Sequence, residues 1–464
     1  MGKTIFEKIW SEHCVSEIND EVGLLLIDRI LLHERTGGVA LQGLATAGRA
    51  VKAPHNCFAT MDHVVDTLPG RTDETTMPTG KSFITATRAA AKAAGIRLFD
   101  IGDPRQGIVH VMSPEQAIVL PGLTLVCPDS HTLTQGALGA LAWGIGSTEA
   151  EHALATSTLR VARPKTMRVT VEGLLHKGVT AKDLALFIIA RFGSSGAKSH
   201  VVEYAGPAID ALDIEARMTL CNMTAEFGAF SAIIAPDMKV FAYLRGRPFA
   251  PDDTLWPKAV AHWRGLASDP DALFDIEHRV NASEVQPMVS WGTNPEQSIA
   301  IGDRVAPSMP NAEAAATRAL NYMDLKPGSA LEGLKIDAAF IGSCTNSRIS
   351  DLRRAAAILR GRKVASGVRA ICVPGSTTVK LQAEAEGLHK IFIEAGFEWR
   401  ESGCSMCFFA GGESFGLHQR VITSTNRNFE SRQGPNTRSH LASPETVAAS
   451  ALAGHISDPR MVQL

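Results

Sequence analysis

Short apolar, β-branched runs alternate along the chain with longer Ala- and Leu-rich segments, and the alternation predicts strands followed by helices. Arg168-Val-Thr-Val-Glu172 precedes the segment from Ala181 to Phe192, and Arg369-Ala-Ile-Cys-Val373 precedes Thr377 to Glu386. Ala338-Ala-Phe-Ile341 reads as another strand, with a helix expected from Ile349 to Arg360. Such alternation implies an α/β fold. The 40 Gly and 23 Pro punctuate these units densely, so the loops at strand ends are expected to carry the chemistry.

The longest apolar stretches, such as Leu184 to Ala190, fall far short of the ~20 residues that span a bilayer. Met1-Gly-Lys-Thr-Ile-Phe-Glu-Lys-Ile-Trp10 mixes charges with apolar residues, unlike the continuous apolar core of a secretory signal. A soluble, cytoplasmic protein with no membrane association is expected. Its 464 residues, 45% of them hydrophobic, suffice for about three domains at roughly 150 residues each. Arg163-Pro164-Lys165 and Glu284-Val-Gln-Pro287 read as joints. The expected subdomains are therefore 1–165, 166–285 and 286–464. The Pro- and Trp-containing stretch from Arg247 to Asp275 reads as an exposed excursion.

Charge adds little, because 46 Lys and Arg nearly balance 48 Asp and Glu. No whole-protein field points to nucleic acid or anionic lipid. The 8 cysteines are too sparse in a chain of this length for a disulfide scaffold. Cys14, Cys57, Cys127, Cys221 and Cys372 lie mostly in apolar settings, where free cysteine behaves as a small buried hydrophobe. The other three stand apart: Cys344 follows a predicted strand, and Cys404-Ser-Met-Cys407 lies beside Gly403. A Cys-x-x-Cys pair alone is shared by zinc, thiol-redox and iron–sulfur sites. Structural zinc wants four ligands, a thioredoxin-like dithiol leaves Cys344 unexplained, and three thiolates on a cubane leave one iron open as a Lewis acid.

Ile341-Gly-Ser-Cys-Thr-Asn-Ser-Arg348, Gly403-Cys-Ser-Met-Cys407 and Asn426-Arg-Asn-Phe-Glu-Ser-Arg-Gln-Gly434 resemble motifs of the aconitase family, most closely its isopropylmalate dehydratase branch. Phe58-Ala-Thr-Met-Asp-His63, Gly107-Ile-Val-His110, Cys127-Pro-Asp-Ser-His-Thr132 and Cys221-Asn-Met-Thr-Ala-Glu226 extend the resemblance over nearly the whole chain. It implies three α/β subdomains packed around an iron–sulfur cluster. Cys344, Cys404 and Cys407 are then the ligands of a [4Fe-4S] cluster, with Asn222 and Asn426 beside it. Asp62 and His63 resemble the pair that protonates the leaving hydroxide. His110, Asp129, His131 and Glu226 resemble the carboxylate–imidazole pairs around the substrate, here expected as His110 with Asp129 and His131 with Glu226. Ser130, Arg427 and Arg432 are expected to hold a small hydroxy-dicarboxylic acid, since guanidinium forks grip carboxylates bidentately. Arg348 reads either as a further anion contact or, the favoured reading, as the start of the following helix.

Single-chain aconitases carry a fourth, swivelling domain that brings a serine base and an arginine. The resemblance therefore implies a separate small subunit as partner. Three positions depart from the family pattern. Val39 stands where a glutamine is usual, with Gln42 one helical turn away. Phe408-Phe-Ala-Gly-Gly-Glu413 replaces smaller residues and an Asn-Pro, and Ser431 replaces a glycine, which matters only if that position needs positive φ. These departures bear on substrate identity and keep dehydration of 2-methylmalate or 2,3-dimethylmalate as an alternative. An RNA-binding apo-protein and a zinc protein with vestigial motifs are the readings from other classes. The former is disfavoured by the balanced charge.

Overall fold

The computed structural model describes residues 2–306, 313–409 and 412–462. Ala410 and Gly411, within the Phe408–Glu413 departure, lie outside the described residues, as does Met1. Three parallel sheets organise the chain. The first, in the order Arg97–Phe99, Cys57–Thr60, Arg29–His33, Thr124–Cys127 and Leu141–Gly144, is parallel throughout. The second runs Ser231–Ile233, His200–Ala205, Lys165–Glu172 and Ile276–Asn281. The third runs Phe397–Trp399, Arg369–Cys372, Ala338–Ile341, Arg420–Thr423 and Arg438–Leu441. In each, the chain winds outward to one side of its first strand and then reverses to the other. The reversal opens a crevice at the carboxyl ends of the strands, where open α/β sheets bind ligands.

Strands such as Cys57–Thr60, Thr124–Cys127 and Ala338–Ile341 are buried at every position, as expected of parallel strands covered on both faces. The helices carry their own stop and start signals. Ala181–Phe192 begins at a Thr180/Asp183 capping box and ends at Gly193. Pro444–Ala453 begins with a Ser443 cap followed by proline and ends at left-handed Gly454. One hydrophobic core joins the first two sheets, and another fills the third. The 3-10 turn Ser130–Leu138 lies against strand Ser231–Ile233, with Ile234 N donating to Gly136 O at 3.0 Å. Only glycine fits there, because a Cβ on Gly136 would fall 1.6 Å from Ala232 O.

Arg247–Asp275 is not simply an exposed excursion. It contains the helix Trp256–Arg264, and Trp263, 4% exposed, stacks on Phe241. The isolated aromatic residues that made this stretch look like a loop supply its core contact. No helix among the described residues is long and apolar enough to cross a membrane.

Candidate active site

Several of the sequence motifs converge because their residues sit just past parallel strand ends, while His110, Asn222 and Glu226 come from helical segments. Asp62 and His63 follow the strand Cys57–Thr60, Asp129 follows Thr124–Cys127, Cys344 follows Ala338–Ile341, and Asn426 follows Arg420–Thr423. Asp129 is the hub of the acid–base group. Its Oδ1 pairs with His110 Nε2 at 2.9 Å and accepts the His131 backbone amide at 2.8 Å, while its Oδ2 lies 3.4 Å from His63 Nε2. His131 Nε2 pairs with Glu226 Oε1 at 3.0 Å. The two expected pairings are both present, and His63 joins the first of them.

The other nitrogen of His63, Nδ1, lies 2.5 Å from Asp62 Oδ1. Burial works against a charged His63 ring, but Asp62, Cys404 and Asp129 outweigh it and hold its pKa well above the usual value. Burial likewise opposes ionisation of Asp129, yet bonds to three histidines hold its carboxyl well below the ordinary range. For Glu226, too, burial is outweighed, here by His131 and Arg427, whose Nε donates to Oε1 at 2.7 Å. Ser130 is exposed, with its Oγ 3.5 Å from His131 Nδ1. It lines a cavity of about 450 Å³ together with Asp129, Phe230 and Arg427.

Cys344, Cys404 and Cys407 are all buried. Asn222 Nδ2 and Asn426 Nδ2 donate to Cys344 Sγ at 3.2 and 3.3 Å. The Cys404 amide donates to Asp62 O at 2.8 Å, tying the thiol loop to the acid–base pair. Burial pushes the Cys344 thiol up to about 12 and the Cys404 thiol well above its usual range. Such thiols ionise against a bound cation, and amide donors on sulfur suit a metal-bound thiolate. The spacing also bears on the metal. Among the described residues, the set of ligand atoms within 4.8 Å of one another comprises His33, Glu34, Asp62 and His63, not the cysteines. Sulfurs sharing one tetrahedral zinc at ~2.3 Å would be only about 3.8 Å apart. The three sulfurs are therefore not gathered around one tetrahedral zinc. The His33 to His63 set has its carboxylates engaged already: Glu34 accepts the amides of Asp62 and Val64, and Asp62 accepts that of Val109.

Arg432 is buried and pairs with no carboxylate among the described residues. Its guanidinium lies over Phe408 at 4.5 Å and Phe429 at 5.1 Å, with Nη2 3.8 Å from Cys407 Sγ. Glu430 pairs instead with Arg318. Arg348 caps the helix Ile349–Leu359 and also closes the cysteine loop, donating to the carbonyls of Cys344 and Thr345 and to that of His110, 238 residues earlier in the chain. Val39 is 52% exposed, and Gln42 is exposed without a hydrogen bond to any site residue among the described ones. Ser431 has φ 64°, so its position does need the left-handed region. Of the remaining cysteines, Cys57, Cys127, Cys221 and Cys372 are buried and Cys14 only partly so.

Sequence reasoning missed four contributors. Glu34 holds the backbone on both sides of His63 through the two amides it accepts. His33 stacks on His63 with centroids 4.0 Å apart. Arg35 lies 4.8 Å from the centroid of the same Phe408 ring that Arg432 contacts, and has no acidic partner among the described residues. Gln135 Nε2 bridges His110 Nδ1 and Ser113 Oγ. The dipeptide His33-Glu34 at a strand end was a usable signal, whereas Arg35 and Gln135 carried none.

A family model for the aconitase family (aconitate hydratase) matches residues 7–454 of the chain. The chain is 51% identical over 466 residues to a protein of Bradyrhizobium diazoefficiens named 3-isopropylmalate dehydratase large subunit 1, covering 100% of this chain and 97% of that one. Among solved structures, holo-form aconitase X of Thermococcus kodakaraensis matches 91% of this chain and 89% of its own, with a TM-score of 0.47 and 13% identity.

Proposed function

The chain belongs to the aconitase family, and from that premise we propose that it is the large subunit of a [4Fe-4S] hydro-lyase. Its reaction is the interconversion of 2- and 3-isopropylmalate by dehydration and rehydration, a step of leucine biosynthesis. The observation that carries this reading is the junction of the two halves of the site: three buried thiols linked through the Cys404 amide to Asp62, next to an acid–base hub on Asp129. Cys344, Cys404 and Cys407 hold the cluster, with the Asn222 and Asn426 amides on Cys344 Sγ. When bound, the cluster supplies a Lewis-acidic iron for the substrate's hydroxyl and carboxylate.

The chain's own residues move the protons and hold the acid. Hydroxide is a poor leaving group, so its departure needs a proton donor. His63, between Asp62 and Asp129, is that donor, because flanking carboxylates stabilise the imidazolium and fix its orientation. His110 and His131 complete the network around the substrate. Arg427 and Arg432 bind its carboxylates with Ser130, and Arg432 is the better armed, since its guanidinium is not committed to a protein carboxylate. A separate small subunit supplies the proton-abstracting base and closes the pocket. The subdomain division 1–165, 166–285 and 286–464 is supported by one parallel sheet in each segment.

A second reading, dehydration of 2-methylmalate or 2,3-dimethylmalate, is favoured by Phe408, a bulky ring contacted by both Arg35 and Arg432. Anaerobic purification followed by iron, acid-labile sulfide and zinc analysis tests the cofactor. About four irons and four sulfides are expected, and zinc without sulfide after reconstitution would overturn the hydro-lyase reading. Turnover of the pair with its small subunit on each of the three acids then decides the substrate.

A further inference from the structure

Lys182 is fully buried, 0% exposed, in the first turn of the helix Ala181–Phe192. Its ammonium crosses from the second sheet's subdomain to the third and donates to two backbone carbonyls, Ser424 O at 3.0 Å and Thr425 O. These carbonyls belong to the turn that delivers Asn426 to Cys344 Sγ. No carboxylate among the described residues lies within ion-pair distance of it. Its neighbour Asp183 is committed elsewhere, accepting the Met288 amide and both the amide and hydroxyl of Thr180. Asp351 is likewise engaged, by Arg354 and Asn346. Two carbonyl dipoles are meagre compensation for a buried ammonium, since buried charges persist where an opposite charge faces them. Burial lowers the Lys182 pKa to about 7, and the charges acting against that fall come first from Cys407 and Cys344.

We propose that Lys182 is the counter-charge of the cysteine cage: a positioning residue whose ammonium balances the anionic thiolate–cluster assembly through the Ser424–Asn426 turn and so sets cluster retention and reduction potential. This rests on the iron–sulfur reading above. Three thiolates outweigh the positive charge of the cluster core, and one-electron reduction adds a further negative charge. A nearby fixed cation therefore favours the reduced form, because cluster potentials follow net charge and burial.

The test compares anaerobically reconstituted wild type, Lys182→Met and Lys182→Arg. Iron and sulfide content and visible absorption are measured first, followed by a dithionite redox titration read by electron paramagnetic resonance. Four irons and sulfides in the wild type establish the cofactor independently of the variants, so failure there is failure of the cofactor reading alone. The proposal expects the reduced-to-oxidised ratio of Lys182→Met at a fixed potential to fall about tenfold. That is the order expected for one charge at roughly 10 Å in an effective dielectric of about 20. Lys182→Arg should stay near the wild-type value. Folded Lys182→Met that loses the cluster while Lys182→Arg retains it also supports the proposal. A loaded Lys182→Met with wild-type potential and chelator resistance overturns it, as does loss of the cluster in both variants, which would make shape rather than charge the requirement. If Lys182→Met does not fold, Lys182→Gln keeps an amide donor without the charge and is read by the same criteria.

Discussion

At the carboxyl ends of the first sheet, ionisable side chains answer one another. Asp129 meets three histidines, Asp62 pairs with His63, and Glu34 ties down the backbone around them. At the equivalent ends of the third sheet the balance is different. The Cys344 thiol receives two amide donors, Arg432 rests on two phenyl rings, and Lys182 reaches in with carbonyls as its partners. The same winding order thus serves two electrostatic designs. The first is a preorganised network of paired charges, which costs stability when one partner is removed. The second collects donors and cations with few carboxylates, a surface suited to anionic groups such as a thiolate cluster and a dicarboxylate. Stability should therefore depend on the first, and cofactor and substrate retention on the second.

The sharpest way to break this contrast is Cys407→Ser. We expect iron and sulfide to be lost and turnover to fall below detection, with the chemical denaturation midpoint of the metal-free protein nearly unchanged; a large fall in that midpoint would mean that the thiols are structural. Asp129→Asn should do the reverse. Iron is retained, turnover with the small subunit falls roughly 10²–10⁴-fold, and unfolding free energy drops by about 3–5 kcal/mol as three histidines lose their shared charge. Unchanged stability in Asp129→Asn would break the comparison from the other side.

The two designs also differed in how legible they were. The cysteines, Asn426 and the motif arginines were readable because each sits in a compact string after a strand, and strands buried on both faces announce themselves as apolar runs; Asn222, within the helix Ile214–Met223, was readable only through its Cys-Asn-Met-Thr-Ala-Glu string. Glu34 and Gln135 were not, since they act by accepting from or donating to groups contributed from 22 or more residues away. Lys182 was invisible for the same reason: its partners lie 242 and 243 residues further on. The Arg247–Asp275 stretch is mostly exposed, as its composition suggested, and what the sequence did not reveal is that Trp263 and Leu266 anchor it to the core.

Glu34 sharpens the first half of the comparison through pH. Burial and the neighbouring Asp62 charge push its carboxyl up to about 7 from 4.5. The folded state thus holds the proton more tightly than the unfolded one. Its contribution is fully present below pH 4.5 and is lost as pH rises towards 7, so ionised Glu34 is a cost. Glu34→Gln removes that titration. Between pH 4.5 and 7.5, the unfolding free energy of the variant should gain on the wild type by up to about 3 kcal/mol. Parallel pH profiles would show that its two amide bonds already stabilise the carboxylate.

Ser431 offers the smallest and most local probe, in the turn that carries Arg427 and Arg432. Its φ of 64° costs a non-glycine residue about 1 kcal/mol, and Ser431→Gly relieves it. The same change deletes the hydroxyl that accepts the Asn436 amide at 3.0 Å. That bond is exposed, so its net worth is about 0.5 kcal/mol, while the backbone bond from Ser431 N to Tyr322 Oη survives the substitution. Glycine also loses more backbone entropy on folding, which trims the gain further. The balance is a stabilisation of at most about 0.5 kcal/mol, measurable by paired denaturation curves. Because Arg432 is held by the rings of Phe408 and Phe429 and the Ser431 hydroxyl bonds the Asn436 amide instead, the KM for the substrate should not move. A raised KM would mean that the serine, and not the aromatic pair, orients the guanidinium.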